Sequence, residues 1–208
     1  MARYQPRDFY YRKARAAGLG SRAAFKIEEI LKRWSLAAPG ARVVDLGCAP
    51  GGWLTMLARA VGPQGRIVGV DLKPCRPAAA QVATLAADLG DPELPARILA
   101  VLGGPADLVT SDAAPRLSGI RTRDQAQAAE LATSVLRLVR KLLKPGGAAV
   151  VKVFMGEGLD QCVAGFRTEF ARVELGRTRA TRPGSSELFV VAVGFRTASA
   201  AGQRPAVV

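Results

Sequence analysis

Apolar positions along the chain fall into two rhythms. Short, nearly continuous apolar runs at 42–46 (RVVDL), 66–71 (RIVGVD), 82–86 (VATLA), 106–111 (ADLVTS) and 148–154 (AAVVKVF) predict strands. Longer stretches at 52–61, 93–102, 123–143 and 158–168 space their apolar residues by three and four, which predicts helices. A further helix is expected from Ala23 to Trp34, with Phe25, Ile27, Ile30, Leu31 and Trp34 as its apolar positions and Ser21 as N-cap. Pro39 and Gly40 break the chain before the first strand. Strand and helix then alternate, which implies a parallel sheet with helices on both faces. After the final long helix come two apolar runs, Ala171 to Leu175 and Leu188 to Phe195, joined by the turn-rich, basic TRATRPGSS. They predict a hairpin returning to the sheet edge with one antiparallel strand. The pattern gives one domain over 21–196, with no repeat and no second domain. A basic arm over 1–20 precedes it, and a tail over 197–208 is expected to fray.

The first strand runs straight into Asp45–Trp53, DLGCAPGGW, and then into a helical pattern carrying Leu54, Leu57, Ala58 and Val61. Gly47, Gly51 and Gly52 lack a Cβ, so the backbone can turn tightly and admit a ligand closely. The helix starting near Gly52 offers unpaired N–H groups to that turn. The spacing is neither G-x-G-x-x-G nor a run ending in Gly-Lys-Ser/Thr, which argues against dinucleotide and P-loop phosphate binding. Asp71, at the end of the second strand, stands where an acid can take the two hydroxyls of a nucleoside ribose. A glycine turn plus a ribose acid suits S-adenosylmethionine (SAM). The same turn also occurs in α/β domains that bind nothing there. The candidate cofactor set from the strand ends is Asp45, Gly47, Gly51, Gly52, Trp53, Asp71, Leu72, Asp88, Leu89 and Asp112.

Composition narrows the chemistry. The chain of 208 residues has 49% hydrophobic residues, enough for a full core. No apolar run approaches the roughly 20 residues that span a bilayer, and the N-terminus lacks the apolar region of a secretory signal. Three scattered cysteines, Cys48, Cys75 and Cys162, make no metal-type pair and fit a reduced cytoplasmic setting. Histidine is absent, which removes His-based triads, His general bases and most zinc sites, and no metal is expected. Thirty basic residues against 17 acidic give a net charge of +13, and such an excess points to a polyanionic partner. The excess is concentrated early: Met1 to Arg33 holds nine basic and three acidic residues, with Tyr4, Phe9, Tyr10 and Tyr11 interleaved. Cations neutralise phosphates and aromatic rings stack on bases, so nucleic acid is the favoured partner and Arg12, Lys13, Arg15 and Arg22 are candidate RNA contacts. The basic excess also favours a monomer.

Ligands of open α/β sheets bind at the carboxyl ends of the strands. Besides Asp45, Asp71 and Asp88, those ends offer Asp112 after strand four, Lys152 within strand five and Glu187 at the start of the last strand. A lysine inside an apolar strand needs a partner. Lys26, on the first helix, completes two lysines and two carboxylates. An amine crowded by a second cation and partly withdrawn from water gives up its proton more readily, and can then deprotonate a hydroxyl. Carboxylates can hold such amines and orient the nucleophile. Attack on a SAM methyl depends mostly on alignment. Each residue alone has an ordinary alternative: a surface lysine, a turn-capping aspartate, a solvated glutamate.

DLGCAPGGW, SRAAFKIEE, TSDAAP, VKVF and SSELFVV, in this order and spacing, resemble the FtsJ-type ribosomal RNA ribose 2′-O-methyltransferases, from about Tyr10 to Phe195. Cys48 departs from the small residue, such as Ala, expected at its place. The resemblance implies a Rossmann-like SAM-dependent methyltransferase fold of seven strands, mostly parallel with the last antiparallel. It implies a Lys-Asp-Lys-Glu catalytic set at Lys26, Asp112, Lys152 and Glu187, with Lys152 the principal lysine. It implies SAM contacts at Gly51, Trp53, Asp71, Asp88 and Asp112, with S-adenosylhomocysteine as product. It also implies that the substrate is a uridine 2′-hydroxyl of large-subunit (23S) rRNA on the 50S particle, and that the arm touches RNA. Two alternatives stay open on the residues: a relative methylating the tRNA anticodon loop, and a non-catalytic RNA-binding assembly factor built on the same fold.

Overall fold

The computed structural model describes residues 23–77, 79–115, 118–182 and 184–197. The arm over 1–20, with Arg12, Lys13 and Arg15, lies outside the described residues, as do Ser21, Arg22 and residues 198–208 of the tail. In chain order the elements are α1 (Ala23–Trp34), β1 (Arg42–Leu46), α2 (Gly52–Val61), β2 (Arg66–Asp71), β3 (Val82–Ala86), α3 (Leu94–Leu102) and β4 (Ala106–Ser111). They continue as α4 (Arg121–Leu142), β5 (Leu143–Phe154), α5 (Leu159–Glu169), β6 (Phe170–Gly176) and β7 (Glu187–Phe195). The seven strands lie in the order β3-β2-β1-β4-β5-β7-β6. β1 to β5 pair in parallel, and β7 runs antiparallel to both β5 and β6.

Side chains alternate across the sheet, as the period of two requires. Val44, Leu46, Val68, Val70, Val109, Ala149, Val151 and Val190 face α3, α4 and α5. Val43, Ile67, Leu108, Val150, Phe189 and Val191 face α1 and α2. Both faces are covered, which is why the central strands are apolar on both sides.

The expected hairpin forms at the sheet edge with one antiparallel strand, β7, which inserts between β5 and β6 and leaves β6 outermost. Burial explains the order, since β7 is buried at Phe189–Ala192 whereas β6 is exposed or half-exposed after Phe170. One expectation is corrected, at 143–147, expected to begin as helix and loop. Leu143 already pairs with Ala106 of β4, and the register shifts before Ala148 meets Leu108. Pro145, Gly146 and Gly147 fall in that irregularity, where a Cβ on Gly147 would stand 3.0 Å from the Lys144 carbonyl oxygen.

Candidate active site

The turn after β1 is built on contacts between strands. The Gly47 and Cys48 amides donate to the Val70 carbonyl at 2.7 and 3.1 Å, which ties the turn to the end of β2. Gly47 has φ +78°, and a Cβ there would lie 2.7 Å from the Ala113 backbone. Glycine is therefore required for the turn to approach the end of β4 as well as for its dihedral. Gly51 (φ +102°) caps α2, and Gly52 opens it. The Asp71 carboxylate accepts the Ala49 amide at 3.0 Å and the Lys73 amide at 2.9 Å, so it is fixed at the carboxyl end of β2 with lone pairs still available.

A cavity of about 470 Å³ opens at these strand ends. Of the candidate cofactor residues, Gly47, Asp71, Leu72, Asp88, Leu89 and Asp112 line it, joined by Pro50, Lys73, Ala113 and Leu131, which sequence reasoning missed. Leu72 is 64% exposed and offers an apolar face at the rim. Asp45, Gly51, Gly52 and Trp53 are not in its wall. Trp53 is buried on the α1 side: its indole N–H donates to the Ala23 carbonyl at 2.8 Å, and its ring lies 6.0 Å from that of Phe189. Asp45 sits beneath the turn, fully buried. Its Oδ1 accepts the Thr110 hydroxyl at 2.7 Å, while Oδ2 has no hydrogen-bond partner among the described residues. Burial, opposed by the Thr110 bond and reinforced by Asp112 and Asp71, pushes its pKa up from 3.8 to about 8. Cys48, the residue that departs from the motif, is buried with its sulfur against β2, where a Cβ on Gly69 would come within 2.9 Å of it. Burial raises the pKa of its thiol, with Asp45 and Cys75 adding to the shift.

The four catalytic candidates come together as two ion pairs. On β5 and β7 the register sets Lys152 opposite Phe189 and Phe154 opposite Glu187. All four therefore project from the sheet face that carries α1. Lys152 Nζ donates to the Asp112 carbonyl oxygen at 2.5 Å and stands 3.0 Å from its Oδ1. Lys152 is nearly buried (8% exposed side chain), which its apolar strand dictates, and Asp112 links it directly to the cavity wall. From α1, Lys26 Nζ contacts Oε1 and Oε2 of Glu187 at 2.6 and 2.7 Å, across 161 residues of sequence, and lies 5.8 Å from the centre of the Phe189 ring. The Glu187 carboxylate also accepts the Thr181 hydroxyl at 3.3 Å, and Thr181 bonds Thr178 at 3.0 Å. Both threonines are buried in the β6–β7 connection. Nothing in their local sequence marks them, because their importance comes from a fold-back onto Glu187.

A seven-stranded, mostly parallel sheet with an antiparallel strand second from its edge, and a cavity at its carboxyl ends beside paired lysines and carboxylates, defines the Rossmann-like methyltransferase class. The family model described as FtsJ-like methyltransferase matches residues 19–195, and the chain belongs to that family. It is 45% identical over 199 residues to the ribosomal RNA large subunit methyltransferase E of Anaeromyxobacter dehalogenans (strain 2CP-C), covering 95% of this chain and 74% of the relative. It is 40% identical over 198 residues to the protein of the same description from Myxococcus xanthus (strain DK1622), covering 95% and 93%. Among solved structures, a Plasmodium falciparum protein described as a ribosomal RNA methyltransferase superposes with TM-score 0.75 at 24% identity, over 84% of this chain and 97% of that one. Aeropyrum pernix fibrillarin, solved with natively bound SAM, superposes with TM-score 0.57 at 19% identity, over 76% and 68%. These two likenesses are of fold.

Proposed function

We propose that this chain transfers the methyl group of SAM to the 2′-hydroxyl of a uridine ribose in large-subunit (23S) rRNA, acting as a cytoplasmic monomer on the 50S particle. The observation that carries the reading is Asp112, which lines the cavity and at the same time holds the Lys152 amine. Family membership and the names of the relatives support the reaction class and the RNA.

The cavity suits the cofactor. Asp71, fixed by two backbone amides, would take the ribose hydroxyls, Leu72 would cover the base, and Asp88 and Leu89 would border it. When bound there, SAM supplies an activated methyl with its own leaving group. The protein's part is the hydroxyl. Lys152, in its free-amine form, takes the 2′-OH proton, and Asp112 keeps the amine aimed at the cavity mouth. The Lys26–Glu187 pair fixes the opposite side of the site and orients the ribose.

The test is transfer of labelled methyl from SAM to three substrates: 50S subunits lacking the modification, free 23S rRNA and bulk tRNA, with the labelled nucleotide mapped afterwards. Label on a 2′-O-methyluridine of 50S particles is the expected result. Label in tRNA alone would move the enzyme to the anticodon loop. SAM binding without transfer to any of the three would make the chain a non-catalytic RNA-binding factor.

A further inference from the structure

The basic connection between β6 and β7 is singled out by the sequence and not used by the reaction described above. Residues 177–186, RTRATRPGSS, contain three arginines and no acid. Its side chains are sorted in space: Thr178, Ala180 and Thr181 are 7%, 0% and 8% exposed, whereas Arg177, Arg179 and Arg182 are exposed. Small residues turn in and arginines turn out.

The inward residues hold the segment in place. The Arg179 amide donates to Glu29 Oε2 of α1 at 2.9 Å, and the Thr178–Thr181 hydroxyl pair continues to Glu187. The Thr181 amide donates to the Thr178 carbonyl at 3.0 Å and the Ser185 amide to that of Arg182 at 3.1 Å. These bonds come from backbone amides and threonine hydroxyls. The segment also borders the reacting groups. It runs directly into Glu187, and the Met155 amide, one residue beyond the partner of Glu187 on β5, donates to the Ser186 carbonyl at 2.8 Å. Arg177 donates to Met155 Sδ at 3.0 Å. Three arginines with exposed side chains are thus carried on a held segment that leads into Glu187.

We infer that Arg177, Arg179 and Arg182 form an RNA-backbone clamp that grips phosphates next to the target ribose, built from residues other than those of the N-terminal arm. The inference rests on the RNA substrate proposed above. Guanidinium groups suit phosphate geometry, and phosphate contacts set the register of a strand without reading its bases. A prepositioned clamp loses little entropy on binding. The same hydroxyl pair that holds the clamp also holds Glu187, so gripping the strand and orienting the ribose share one support.

The test compares wild type with a variant carrying Arg177→Ala, Arg179→Ala and Arg182→Ala, and with Arg97→Ala, a substitution on α3 at the other sheet face. Binding to a 23S rRNA fragment spanning the mapped nucleotide, and to 50S subunits, is measured from low to high salt, together with SAM affinity. The triple variant is expected to keep SAM affinity and thermal midpoint, to lose about tenfold or more in RNA affinity, and to show a salt slope shallower by about 2, since each single-strand phosphate contact contributes roughly 0.7. Arg97→Ala should match wild type. An unchanged slope and affinity in the triple variant, with wild type binding and methylating normally, would overturn the clamp alone. A wild type that neither binds nor methylates this RNA would overturn clamp and function together. Weakened binding to 50S subunits with unchanged binding to naked RNA would make the surface a protein contact and overturn its assignment to phosphates.

Discussion

Lys152 is the side chain to which the proposed mechanism gives the proton, and its surroundings explain why its strand singles it out. It stands in an apolar run, so its amine must find partners, and it finds both the carbonyl and the carboxylate of Asp112. Lys152→Ala should lower methyl transfer by at least about 100-fold, the scale of a lost proton acceptor, while SAM affinity measured by calorimetry stays near wild type. Activity close to wild type would remove the lysine from the mechanism. Asp45 makes a different prediction. Its folded pKa, about 8, lies above its unfolded value of 3.8, so between these pH values the folded chain keeps a proton that the unfolded chain releases. Stability should therefore fall as pH rises through that window, by at most about 1.4 kcal/mol per pH unit, and level off above it. Asp45→Asn keeps an acceptor for Thr110 without the proton, and should flatten the curve. Parallel curves of melting temperature against pH for the two proteins would show that another group holds the proton. A partnered side chain was legible where a residue conflicted with its local pattern, as at Lys152. The position of Trp53 was not, since the glycine motif suggests the pocket whereas the ring packs under α1.

The glycine turn and the β6–β7 connection show how elements hold these groups. Gly47→Ala would push a methyl group to 2.7 Å from the Ala113 backbone at a φ that L-residues rarely adopt. We expect destabilisation of about 2–4 kcal/mol in denaturant melts and weakened SAM binding, because both cavity-lining segments must shift. A variant as stable as wild type would mean that the turn yields. Thr181→Val removes a hydroxyl from between Thr178 and Glu187. A loss of about fivefold in kcat is expected, the scale of one hydrogen bond of about 1 kcal/mol, with recovery in Thr181→Ser. Equal activity in all three would mean that Glu187 needs only Lys26. Strand and helix periods located nearly every element, since each follows from residues a few places apart. The order of the last two strands and the early start of β5 depend on pairings such as Leu143 with Ala106 and Lys152 with Phe189, which no local window contains.

At the scale of the molecule, a net charge of +13 would make the proposed association with RNA dependent on salt. Reversing the charges of Arg12, Lys13 and Arg15 together should weaken binding to 23S rRNA and flatten its salt dependence, as filter binding can measure. An affinity and slope equal to wild type would leave the arm without a part in recognition. The charge pointed to the polyanionic partner proposed here, and the fold class was legible in the alternation of elements. The pairing of Lys26 with Glu187 lies beyond any local pattern, because 161 residues separate them, and the sequence named them only as members of one set of two lysines and two carboxylates.

That separation has a consequence for how the protein comes into being. β7 is the last of the described strands in chain order, yet it lies inside the sheet and carries the carboxylate that α1 awaits. A growing chain that has already made its glycine turn and the wall of its cavity still lacks Glu187, the neighbour that completes the β5 ladder, and the cover for Phe189's side of the core. The first helix must wait for its partner until 161 further residues have been made. A nascent chain that stops short of β7 therefore holds its glycine turn and cavity wall without the second ion pair.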